Sequence, residues 1–380
     1  MSGLFSTNLR LVGVKKEMIS GTPEDLLSAD YDIKFQTADL STLEVTYADN
    51  GKYMNGQLTR DAQTPGIVRG GMSLEANVTM GEFTAQGSSG SPTYSANYPM
   101  TKALGMAGFK VIEHQPTGLT PADRGYFEIY STKDSLCSTA TVALLDVQSC
   151  SDTLTKGIEY KLRGCSSNLV VSADEAGMPF KFTYDPQGGV ASVEEVDYAN
   201  IPVFNEDGAN QTRSIPFMNA DIIITPVNYD GSAITPAPTP ASFCVSSFNL
   251  DFQNAISEII CADSQYGLTK TAITDMIPKL DVSVLMTALS EFDWWDAQTS
   301  MQIFKVEIIV YEDGAKTLKL FSVEIPRAQM QGATNEDSDG FRQLSASFMA
   351  LVNSQGADEE EKQKDVIITV FADTIDDTTP

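Results

Sequence analysis

The sequence predicts a mainly β protein: two tandem β-sandwich units, each with one short α-helix, joined by a Pro-rich linker. Three observations carry that prediction. Apolar residues recur at alternate positions in many short segments, the period of a strand with one buried face. A non-periodic stretch holding three prolines, "YDGSAITPAPTPASF" at 229–243, interrupts them. The order of segments before that stretch recurs after it.

In chain order, "STLEVTY" (41–47) alternates through Leu43, Val45 and Tyr47, and "SLEANVTM" (73–80) through Leu74, Ala76, Val78 and Met80. "YPMTKALGMAGF" (98–109) predicts a short helix ended by glycine. "GYFEIYSTKDSLC" and "TVALLDV" are strands near a Lys-Asp turn. "IEYKLRGCSSNLVVSADEAGMPFKFTYD" (158–185) predicts one long hairpin with its turn at "ADEAG" and Phe180, Phe182 and Tyr184 on the returning face. After the linker, "SSFNLDF" (246–252) and "KLDVSVLM" (279–286) alternate like the first two strands. "TALSEFDWWDAQ" (287–298) is the second helix, "FKVEIIVYEDGAKTLKLF" (304–321) a hairpin around Asp313-Gly314, and "KDVIITVFADT" (364–374) a last strand. The first strands of the halves lie 205 positions apart, and Leu74 lies 206 before Leu280.

"NEDSDG" places Asn335, Asp337 and Asp339 at alternate positions before Gly340, like the opening of a calcium loop. An EF-hand would need a bidentate Glu at the twelfth position, which is Ala346, and helical flanks. The flanks alternate instead, with Leu344, Ala346, Phe348 and Ala350 on one face. Asp-Gly between alternating segments predicts a hairpin turn; a loosely bound cation at Asp337 and Asp339 stays open.

Composition excludes much chemistry. With 51 acidic and 25 basic residues the net charge is −26, the wrong sign for gripping a phosphate backbone. The single histidine, His114, would have to serve any Ser-His-Asp or Cys-His mechanism, and it sits at a strand end before a Pro-containing loop. No GxxxxGK[ST], GxGxxG or GxSxG occurs. Five cysteines without a CxxC give neither a zinc site nor a disulfide framework, and are expected as small core residues. No cofactor and no enzymatic activity are expected. No apolar run of about 18 residues predicts a membrane span, and the first residues do not read as a signal peptide.

The C-terminal "VEIPRAQM", "DSDGFRQLSASFMAL" and "DVIITVF", with "SSFNLDFQN", "LRGCSSNLVVSADEAGMPFKF" and the N-terminal "GVKKEMISGTPEDLLSADYDI", together resemble the tail tube (major tail) protein of long-tailed bacteriophages, in its duplicated form. The resemblance covers most of the chain; the insertion around 137–157, with Cys137 and Cys150, departs from the family pattern. It implies an N-terminal arm (1–40), a first tail tube domain (41–228), the linker (229–243) and a second domain with an acidic C-terminal tail (244–380). It implies rings stacked into a hollow conduit for genome ejection in the virion tail, assembled in the bacterial host cytoplasm. DNA would pass through without specific binding. Partners would be further copies of the chain and the tape measure, tail terminator and tail tip proteins. If each chain supplies two units, a ring of about six units is a trimer with pseudo-sixfold symmetry; a second unit lying outside the lumen would require a hexamer.

The segments 50–70 and 254–277 are too long for ordinary hairpin loops of about 2–5 residues. The resemblance makes them ring-to-ring stacking loops, with Tyr53, Gln57, Arg60, Arg69, Ser257, Tyr266 and Lys270 as candidate contacts. Two alternatives are a tail tip or terminator protein of related fold, and a carbohydrate-binding β-sandwich using Trp294 and Trp295. Beside Phe292, those tryptophans read as core and interface aromatics.

Overall fold

The computed structural model describes residues 5–48, 64–86, 93–116, 124–148, 156–197, 213–236, 238–261, 267–285, 292–338, 341–353 and 361–373. It is mainly β. The strands are β1 (Phe5–Lys16), β2 (Phe35–Ala48), β3 (Thr64–Asn77), β4 (Gly81–Gln86), β5 (Thr93–Asn97), β6 (Phe109–His114), β7 (Tyr126–Ser131), β8 (Ala140–Gln148), β9 (Lys156–Ser166), β10 (Leu169–Ala173), β11 (Lys181–Tyr184) and β12 (Gln187–Asp197). They continue with β13 (Ala220–Val227), β14 (Ala241–Asp251), β15 (Ala255–Ile260), β16 (Leu268–Asp275), β17 (Lys279–Leu285), β18 (Ile303–Tyr311), β19 (Lys319–Ser338), β20 (Phe341–Ala350) and β21 (Ile367–Asp373). Two short helices, α1 (Thr101–Met106) and α2 (Trp294–Thr299), follow β5 and β17.

One connectivity occurs twice. In the second half, β13, β14, β17, β20, β19 and β18 pair in that order, all antiparallel, and β18 returns to β13 to close a six-stranded ring. In the first half, β1, β8, β9, β12, β3 and β2 pair antiparallel, the same order read the other way round, with β1, β2 and β3 standing for β13, β14 and β17 and β8, β9 and β12 for β18, β19 and β20. Chain order matches as well: three strands, a helix, then three more. The hairpins β4–β5, β6–β7 and β10–β11 are extra in the first unit, and β15–β16 is extra in the second. The strands of each unit are thus wound around on themselves rather than split into two separate sheets.

The units share backbone hydrogen bonds and a core. β10 pairs with β14, and β21 pairs with both β19 and β7. A single cluster of buried apolar side chains runs from Val12 and Val14 through Phe180, Phe248 and Phe348 to Val370. Alternation explains most of it: Leu74, Ala76 and Val78, then Phe180, Phe182 and Tyr184, then Leu280, Val282 and Val284 all point inward. β8 and β18 depart from alternation. Each is flanked by two strands and buries consecutive residues, Thr141–Leu145 in β8 and Ile308–Val310 in β18.

Several expectations are corrected here. The boundary at 229–243 falls inside a strand pair: β13 and β14 flank the proline stretch and pair through Ile222↔Phe243. Proline supplies no N–H for a ladder, so the stretch reads as a linker although it only connects adjacent strands. The arm 1–40 contains β1, the first strand of the first unit. The long hairpin 158–185 is two features, because β9 pairs with β8 and β12 while β10 and β11 form the actual hairpin. α2 begins at Trp294, where the Asp293 carboxylate accepts from the Trp295 and Asp296 amides at 3.0 Å each. Of the described cysteines only Cys165 is buried; Cys137, Cys244 and Cys261 are exposed. The "NEDSDG" segment is a hairpin, with Ser338 opposite Phe341 across residues 339–340, which lie outside the described residues. Among the described residues no helix is long and apolar enough to cross a membrane.

Candidate functional site

Two places break the regularity of the strand pairing, and both involve segments singled out in the sequence. The first is the seam between β1 and β2. Its counterpart in the second unit is the β13–β14 ladder, but among the described residues β1 and β2 share no ladder. A groove of about 590 Å³ runs there, lined by Arg10–Val12 and Ile33–Asp39. Arg10 spans it. Its Nε donates to Asp146 Oδ1 at 2.6 Å, and its Nη1 to the Ala38 carbonyl at 2.7 Å and to Asp39 Oδ1 at 2.6 Å. A guanidinium therefore holds the seam where the second unit uses backbone. Burial works against its charge, but Asp146 and Asp39 outweigh that and hold its pKa above the ordinary value.

The second place is the segment 254–277. It is an antiparallel hairpin, β15–β16, that forms a two-stranded sheet of its own. β16 lies against the first unit across a bulge between β9 and β12. Thr271, fully buried, serves that bulge: its hydroxyl accepts from the Ser166 amide at 2.8 Å and lies 2.8 Å from the Gly164 carbonyl and 3.0 Å from that of Gln187. Leu268 and Ile273 are buried beside it. Burial of such side chains is worth about 2 kcal/mol each. Gly164 has φ +59°, and a Cβ there would stand 2.6 Å from the Lys270 Cα, so the backbone approach requires glycine. Glu17, also buried, orders the neighbouring loop. It accepts from the amides of Gly21 (2.6 Å) and Gly164 (2.7 Å) and from the hydroxyls of Thr139 (2.6 Å) and Thr141 (3.0 Å). Every oxygen of that carboxylate is used, as a buried charge requires.

Of the predicted contact residues, the structure brings Arg69 to the hairpin. Its Nε and Nη2 donate to the two Glu258 carboxylate oxygens at 2.5 and 2.8 Å, a bidentate pair. Ser257 is exposed on β15, its hydroxyl 3.3 Å from that of Thr274. Lys270 is on β16 beside Gly164. Tyr53, Gln57, Arg60 and Tyr266 lie outside the described residues. The outward strand, β15, leaves Ile259 40% and Ile260 55% exposed and pairs on one edge alone among the described residues. The sequence reading missed Glu17, Thr271 and Gly164. The one visible signal was Gly164 within an otherwise alternating strand, a mark of a bulge or close approach.

Other candidates resolve differently. His114 Nε2 lies 2.8 Å from Glu128 Oε2, and its ring stacks on Tyr126 at 4.3 Å. Trp294 is buried against Phe243 and Phe292, while Trp295 is exposed. Burial, then the charge of Glu17, push the Cys165 thiol well up, which leaves it an unreactive packing group. Asp337 pairs with Arg342 in the β19–β20 ladder; Asp339 lies outside the described residues.

No family model matches the chain, and no curated protein matches it. Among solved structures, it is similar in part to a chain of the anti-feeding prophage (AFP) baseplate, determined by cryo-EM with 6-fold symmetry. That match has 12% identity and a TM-score of 0.26, covering 36% of this chain and 93% of the other. A likeness at this level carries no argument about function.

Proposed function

We propose that the protein is a structural subunit that assembles with copies of itself into stacked rings, the tail tube of a long-tailed phage. The observation that carries this reading is the duplicated connectivity: one chain supplies two six-stranded units of the same strand order. Two similar units in one chain suit a ring in which interfaces within and between chains alternate, three chains to a ring. A net charge of −26 per subunit suits a conduit that DNA passes without adhering. The chain needs no cofactor and performs no catalysis in this role. Its partners are its own copies and the proteins that measure, cap and tip a tail, and it resides in the virion after assembly in the host cytoplasm.

Electron microscopy of the concentrated protein tests the reading. Hollow tubes with three chains per layer are the expected result. Six equivalent chains per layer would remove the trimer. Single rings that never stack would favour a terminator or tip protein, and a protein that stays monomeric at every concentration would overturn self-assembly altogether.

A further inference from the structure

Lys364 is only 7% exposed, rare for an ammonium group, and the assembly role gives it no task. It stands just before β21, the last strand of the second unit, and its partner is on the first. Its Nζ donates to Glu128 Oε1 on β7 at 2.6 Å, across 236 residues of chain, and lies 4.4 Å from the centre of the Tyr130 ring. The other carboxylate oxygen, Oε2, is 2.8 Å from His114 Nε2 on β6. That imidazole is held by its stack on Tyr126, whose ring packs in turn on Phe371 of β21. β7 runs between β6 and β21, with Ile112 and Thr369 opposite Glu128, so the carboxylate is fixed from both sides. An amine, a carboxyl group and a hydrogen-bond donor thus meet at one place.

We propose that Lys364 and Glu128 condense to an amide, a covalent strap between the second unit and the first. The inference stands apart from the self-assembly reading. Keeping two charges out of water is costly, so a proton passed from ammonium to carboxylate relieves that cost and leaves an amine against a carboxyl group. The proton moves from Nζ to Oε1 along their hydrogen bond. The amine then attacks Cδ, about 3.5 Å away, a near-attack distance. The N–Cδ bond forms as the π pair of Cδ–Oε2 moves onto Oε2, where His114 donates to it from a protonated Nε2. The nitrogen passes a second proton to Oε1, the Cδ–Oε1 bond breaks, and Oε1 leaves as water. Oε2 becomes the amide carbonyl oxygen, and one hydrogen stays on nitrogen. Nothing is oxidised or reduced, and no co-reactant enters. Holding the two groups together replaces the encounter that makes this reaction slow between free molecules. The His114 side chain is 36% exposed, so the site opens to solvent on that side and the water can leave. The bond pins the segment leading into β21 to β7.

Mass spectrometry tests this on the full-length chain, incubated at neutral pH until its mass is constant and then denatured. The expected mass is one water below that of the sequence, and tryptic digestion gives a branched peptide joining Lys364 to Glu128. A chain of full sequence mass whose Lys364 takes an amine-labelling reagent overturns the proposal, and so does a loss of water located at any other pair. Lys364→Arg keeps the charge and should retain the full mass; a variant that still loses water overturns the assignment. His114→Ala should slow the loss of water about a hundredfold, followed as mass against time. An unchanged rate overturns the part given to His114.

Discussion

Thr271 does at one atom what a ladder does elsewhere: it satisfies backbone groups that the β9–β12 bulge would leave stranded. Thr271→Val preserves the shape and strands the buried Ser166 amide, which costs about 1–3 kcal/mol. Thr271→Ser should recover most of that. Denaturant unfolding of the three proteins measures it, and a valine variant as stable as the parent would show the hydroxyl idle. Arg10 invites the same treatment. Arg10→Ala removes three charge-assisted hydrogen bonds from the seam and should cost about 2 kcal/mol, with faster hydrogen exchange in β1 and β2 than elsewhere. Uniform exchange across the molecule would argue against a local seam. Glu312 gives a pH signature. Hydrogen bonds from Arg213 and Arg124 hold its carboxyl below the usual range, with burial pushing weakly the other way. A carboxyl with a lowered folded pKa contributes above its unfolded value, about 4.3, and loses that contribution as pH falls through the folded value. Glu312→Gln should therefore lower the melting temperature at neutral pH, with the gap to the parent closing under acid. A gap that is constant with pH would mean that the carboxylate charge is not what matters.

At the scale of an element, the hairpin is the part that substitution can release alone. Gly164→Ala puts a Cβ against the Lys270 backbone at a φ that alanine adopts only at a cost of about 1–2 kcal/mol. Amide exchange over residues 255–275 should rise well above that of the ring strands; unchanged exchange would mean that the seat adjusts around the methyl group. The elements also show what could be read in advance. Strands with one wet face, such as β3 and β17, declared themselves by alternation; α1 lay within its predicted segment, and α2 overlapped the end of its own and ran one residue past it. β1 went unrecognised because its buried residues, Val12, Gly13 and Val14, run consecutively and do not alternate. The second stacking segment was found as a long excursion, but nothing local in "NAISEIICADSQYGLTKTAITDMI" says that β16 will be buried on another unit while β15 stays exposed. Burial of Thr271 and Leu268 is set by a bulge about 100 residues away, and local pattern cannot see it.

For the whole molecule, charge and order of synthesis matter most. Subunits of net charge −26 repel one another over about 30 Å at 0.01 M salt and about 8 Å at 0.15 M. Association should therefore speed up several-fold across that range, followed by light scattering; slowing would point to attraction between opposite charges as the driving contact. The crossing of β21 onto β7 sets a timetable. Ile368 pairs with Ile129, about 240 residues earlier, so the β6–β7 hairpin added to the first unit lacks this neighbour until β21 has been made. Pairings this distant are slow to form and leave edges waiting. A ribosome still translating the second unit therefore carries a first unit whose six ring strands are made but whose β6–β7 hairpin is uncovered. The units are bridged on this side once β21 has been made, and until then a nascent chain offers a growing assembly an unfinished surface.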